Sequence, residues 1–211
     1  MSRKCLAIIV LLSAFASMSA YARKGAVRFE LLGGYVNSLE SIRADYDGGA
    51  TQYLSGNFGG VYAGAGIHAT LSERTPLTIS FAAAAKYASG LLHDRAVRES
   101  YVFAPLRFGW SIPVFSFGFE QNLVVEPYAG PVFQYGLSSK SNDYDFYHPD
   151  GIIEAKRFNT LLGAGARLSL DRLVFDVGYD FGLIPRYVRE GDGYSYRWNA
   201  STLHLGLSYR F

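Results

Sequence analysis

Apolar and polar residues alternate one by one along most of this chain. The pattern is strictest at the end, where Leu203, Leu205, Leu207, Tyr209 and Phe211 oppose Thr202, His204, Gly206, Ser208 and Arg210. A repeat of two puts these sets on opposite faces of a β-strand. Residues 172–184 repeat the pattern, with Leu173, Phe175, Val177, Tyr179, Phe181 and Leu183 against Asp176, Gly178, Asp180 and Gly182. Read in this way, the chain predicts eight strands: residues 25–38, 57–71, 77–89, 97–110, 121–137, 156–169, 172–184 and 198–211. Pro105, Pro127 and Pro131 fall inside two of them and predict bulges, because proline removes a ladder donor.

The connections alternate in character. Residues 39–56, 90–96, 138–155 and 185–197 are long or polar, whereas 72–74 and 170–171 are tight turns, and the apolar link 111–120 is placed with the short ones. Each strand exceeds the roughly 9–11 residues needed to cross a bilayer at a tilt. An open edge in hydrocarbon would leave backbone groups unpaired, so a spanning sheet must close. The expected fold is therefore all-β: an eight-stranded antiparallel transmembrane β-barrel with short periplasmic turns, longer extracellular loops and both termini periplasmic. Trp110, Tyr209 and Phe211 would mark one interface, and Tyr35, Tyr87 and Tyr135 the other. A secreted soluble barrel or sandwich is the rival, and it would turn the same apolar faces inward.

The beginning of the chain bears on location. Arg3 and Lys4 precede the apolar run 6–12, and Ala20-Tyr21-Ala22 follows, as in a secretory signal peptide of residues 1–22 ahead of a barrel domain of residues 23–211. The single cysteine, Cys5, lies within that leader, so a disulfide scaffold or thiolate metal site is not expected. Without Arg3 and Lys4 the charge balance is 18 basic to 18 acidic residues, which gives no basis for a nucleic-acid partner.

The terminal segment from Leu203 to Phe211 resembles the C-terminal signal of bacterial outer-membrane proteins that the barrel assembly machinery reads. The chain as a whole resembles the small eight-stranded family of the OmpA membrane domain and OmpX. Tyr128-Ala129-Gly130-Pro131, residues 162–166 and residues 175–183 are similar to motifs of Bacteroidetes PorT-like barrels. That resemblance implies an outer-membrane location and contact with outer-membrane lipids and lipopolysaccharide. It brings no catalytic residues with it.

Eight strands enclose a space that side chains can fill. The register turns Arg28, Glu30, Lys86, Arg107, Glu126, Arg157, Arg167, Asp176, Asp180 and Arg210 inward as a charge network, with Arg167 the expected partner of Asp176. Buried charges need partners or water. Asp176 and Asp180 are four residues apart on one strand, roughly 13 Å, too far for a catalytic carboxylate pair. His204 and Ser208 have the same separation; His68 faces inward, and His93 and His148 fall in loops. No catalytic site, metal site or cofactor is expected from these spacings. Outside, Tyr144, Phe146, Tyr147 and His148 of one loop, with Tyr194, Tyr196 and Trp198 near another, form a candidate recognition surface for an extracellular protein or glycan. The expected role is non-enzymatic, in recognition, adhesion or envelope support; the alternative is a lipid-modifying hydrolase or acyltransferase.

Overall fold

In the computed structural model of the protein, residues 27–71, 75–92, 95–117, 121–141, 144–147, 155–191 and 194–211 are described. Residues 1–22, expected as a leader, and His93 and His148 lie outside them. The architecture is all-β and antiparallel, consistent with a transmembrane β-barrel. Eight strands are long: β1 (Val27–Tyr46), β2 (Thr51–Thr70), β3 (Leu77–Leu92), β4 (Arg95–Trp110), β6 (Gln121–Ser141), β8 (Phe158–Leu170), β9 (Leu173–Gly182) and β11 (Tyr194–Arg210). Their pairing runs β1-β2-β3-β4-β6-β8-β9-β11 and returns through a ladder from Glu30 opposite Arg210 to Tyr46 opposite Tyr194. Every long strand thus has a hydrogen-bonded neighbour on both sides.

Three short strands depart from the sequence expectation. The apolar link after β4 carries β5 (Ile112–Phe117), which continues the β4 ladder along β6 with Ile112 opposite Val125. The expected loops contain β7 (Tyr144–Asp145) on β6 and β10 (Tyr187–Gly191) on β11. Residues 39–56, expected as a loop, instead extend β1 and β2 as a tall hairpin, turned at Gly49 with φ 77°. Alternation weakens there because the inward face mixes Glu40 with Ile42 and Ala44 while Ser41, Arg43 and Asp45 lie on the other, yet the ladder continues. The register shift in the β4–β6 ladder lies between Ser100 and Tyr101 and not beside the prolines.

Burial is inverted relative to a soluble protein. Phe29, Leu31, Tyr35, Phe175, Val177, Leu205 and Leu207 are exposed, whereas Glu30, Lys86, Glu99, Glu126, Arg167, Asp180 and Arg210 are buried. The apolar face is thus on the outside of the ring, against the soluble alternative. Tyr35, Val61 and Tyr87 are cross-strand neighbours at one level, and Trp110, Tyr209 and Phe211 are exposed at the other end.

Candidate functional site

The interior is layered. At the end holding the start of β1 and the finish of β11, Arg210 donates through Nε to Glu30 at 2.7 Å, and His68 Nε2 lies 2.8 Å from Glu126 Oε2. Above this, Arg107 Nη1 donates to Asp176 at 2.6 Å. The Tyr128 hydroxyl donates to the other Asp176 oxygen at 2.7 Å and lies 3.0 Å from His204 Nε2. On its other side His204 Nδ1 stands 3.6 Å from Asp180. Arg167 is 3.8 Å from Asp176 and 3.6 Å from Glu30, so it bridges the two groups; the close partner of Asp176 is Arg107, on a strand far from it in sequence. Sequence spacing placed these groups on the inner face but could not pair them across the ring.

Small residues make this packing possible. The motifs from β6, β8 and β9 lie side by side, with Gly130 opposite Gly163 and Gly165 opposite Gly178. Gly165 and Gly178 flank the Tyr128 hydroxyl. A methyl group at Gly178 would stand 2.7 Å from the His204 ring and against that hydroxyl. Gly178→Ala is therefore expected to cost about 1–3 kcal/mol through overpacking, read as a lowered urea midpoint in vesicles.

An apolar layer of Val36, Tyr62, Ala84, Phe103, Val132 and Leu161 lies within the ring. Lys86 donates to Ser38 at 2.7 Å and to Thr202 at 3.3 Å. The cavity between the charged groups and this layer is about 20 Å³, room for about one water molecule.

The loop end is closed by a group that the sequence did not reveal. Arg186, in the connection after β9, turns inward and donates to Glu40 of β1 at 2.9 Å, to Glu99 of β4 at 3.2 Å and to the Tyr147 hydroxyl at 3.2 Å. The Trp198 indole donates to the second Glu40 oxygen at 2.6 Å. Burial works against the Arg186 charge, but Glu99 and Glu40 outweigh it and raise its pKa well above the ordinary arginine value. Burial likewise raises the Tyr147 hydroxyl. Around this group Phe58, Leu92, Val97, Phe146, Tyr187 and Trp198 form a second apolar core. Nothing in the local sequence distinguishes Arg186 from a solvated loop arginine.

Several expected placements change. Phe146, Tyr147 and Trp198 are buried and not on the surface, because the loop residues fold back over the ring and Trp198 is only 1% exposed. Tyr196 is half-buried, with its hydroxyl 3.2 Å from that of Tyr46. Tyr144 lies on β7 and Tyr194 begins β11. Arg157 precedes β8, donates to the Gly136 and Leu137 carbonyls and covers the Tyr147 ring, so it is outside the inner charge network. Arg28 is exposed at the opposite mouth. Tyr53, which the sequence did not single out, is 69% exposed on the tall hairpin beside Arg43. Among the described residues no group of three or more His, Cys, Asp or Glu side chains is placed to hold a metal.

No protein-family model and no curated protein sequence matches the chain. Solved structures do align with it. Neisserial surface protein A shares 13% identity at TM-score 0.46, over 87% of this chain and 97% of the other. Ail, the attachment invasion locus protein of Yersinia pestis, shares 14% at TM-score 0.35, over 85% and 98%. The N-terminal β-barrel domain of Pseudomonas aeruginosa OprF shares 15% at TM-score 0.36, over 85% and 99%. Similarity at this level assigns neither a family nor a ligand.

Proposed function

We propose that the chain is an eight-stranded transmembrane β-barrel of a bacterial outer membrane, with its short turns and termini toward the periplasm. Its role is non-catalytic: it anchors surface hairpins that recognise an extracellular protein or glycan, and it stiffens the envelope. One observation supports this most strongly: the interior is filled with paired charges and apolar side chains, while the outer wall is apolar and a tall hairpin stands beyond it. A filled interior suits anchoring better than diffusion. The barrel assembly machinery, which would read the terminal Phe211 pattern, and lipopolysaccharide around the apolar wall are the partners this reading implies.

The hairpin offers Tyr53 and Arg43 outward and β11 sets Arg197 beside them, with Arg43 directly opposite both Tyr53 and Arg197 in the ladders. Aromatic and arginine side chains are those that most often carry binding energy. Cells displaying the protein, and cells in which residues 43–53 are replaced by a two-residue Asn-Gly turn, would be compared on surfaces coated with matrix proteins and with sulfated or neutral glycans. The expected result is an adherence loss of about tenfold or more on the recognised coating. Equal adherence of both strains on every coating would count against recognition by this hairpin.

The enzymatic alternative has one observation in its favour, the contact of His204 with Tyr128, Asp176 and Asp180. The cluster lies deep inside and lacks a hydrogen-bonded serine among the described residues. Loss or gain of an acyl chain in the lipid A mass spectrum of expressing cells would favour that alternative.

A further inference from the structure

The end of the ring opposite the tall hairpin opens into a polar cavity of about 370 Å³. Arg28 of β1, Thr70 of β2, Ser169 of β8 and Arg210 of β11 bring donors to it. Glu126 and Asp171 also line it. Arg28 has neither an ion pair nor a side-chain hydrogen bond among the described residues. The Ser169 hydroxyl is buried without a hydrogen-bond partner, a state that costs folding free energy unless something else supplies one. Arg210 is held by Glu30, with Nε donating at 2.7 Å and Nη2 2.6 Å from the same oxygen, so it adds positive charge to the wall as part of an ion pair.

The nearby acids are already engaged. Glu30 holds Arg210 and Glu126 holds His68. Asp171 remains, on the turn at the rim.

We propose that this cavity binds a small oxyanion, a carboxylate or phosphate group, gripped by the Arg28 guanidinium with the Ser169 hydroxyl donating from the wall. A guanidinium presents a planar fork that matches both anions. Asp171 sets the polarity of the ligand: the anionic group enters, and a neutral or cationic remainder stays at the rim. The site is remote from the hairpin, so its failure would leave the recognition reading untouched.

The test uses the mature chain refolded in detergent micelles, with amide NMR shifts followed during separate titrations of sodium phosphate and sodium acetate at ionic strength held constant with sodium chloride. Saturable shifts at Arg28, Thr70, Ser169 and Arg210, with Tyr53 unmoved, are expected for at least one anion. Phosphate alone identifies a phosphate-bearing ligand, and acetate alone a carboxylate. R28Q, a change at an exposed position, should weaken binding about tenfold or more, and S169A about threefold or more. No saturable shift with either anion, or unchanged binding by R28Q, overturns the proposal.

Discussion

Arg186→Leu is expected to lower stability by about 3–5 kcal/mol, because it strands two carboxylates, Glu40 and Glu99, with relative exposures of 3% and 0%. The guanidinium is their shared counter-charge, at 2.9 and 3.2 Å. It also ties together β1, β4 and Tyr147, beside β7, so losing it should loosen the whole loop end. Urea unfolding of the protein in vesicles would show the midpoint shift, and amide exchange should rise around Tyr147 and Trp198 before it rises in the wall strands. The triple variant E40Q/E99Q/R186L should recover most of the loss, since breaking a buried pair costs more than replacing all its members with uncharged groups. Arg43→Ala removes an exposed pair with Asp45 and should leave the midpoint where it is. If Arg186→Leu matched Arg43→Ala, the closing role of Arg186 would be refuted.

Leu207→Arg is expected to cost about 2–4 kcal/mol, the range for a basic side chain facing lipid near the bilayer midplane of a barrel. Leu207 is 49% exposed, lies opposite Gly33 and Phe175, and stands between the levels of Tyr35 and Tyr209. Tyr53→Arg, at a more exposed position on the tall hairpin, should change little. The contrast separates hydrocarbon from water as the medium around the wall. In water an arginine at an exposed leucine position is close to neutral, so two equally small effects would remove the membrane reading.

Both predictions show where sequence information ends. The outer face was legible because each outward-facing residue announces itself through a neighbour two positions away: Leu203, Leu205 and Leu207 are apolar in register, and all are exposed. The long strands followed from the same repeat, with their ends uncertain wherever the outward face turned polar and the inward face mixed, as in residues 39–56. Of the expected inner charges, Glu30, Lys86, Arg107, Glu126, Arg167, Asp176, Asp180 and Arg210 lie inside the ring, whereas Arg28 is exposed at the mouth and Arg157 covers Tyr147. Arg167 does stand opposite Asp176, 3.8 Å away, but the closer partner was not legible, because Arg107 and Asp176 meet across the interior, 69 residues apart, and no local spacing encodes that distance.

The loop end was misread for a related reason. Phe146, Tyr147 and Trp198 have the composition of a binding surface, and the same aromatic rings serve equally well as a core when Arg186 and two glutamates supply polar partners. The sequence by itself determined the two-faced strands and their antiparallel order, since alternation is a local property of neighbouring residues. Only the tertiary structure decided which charges pair, which aromatics are hidden and that the ring is filled, because those outcomes depend on distances between residues that the chain keeps far apart until β11 meets β1.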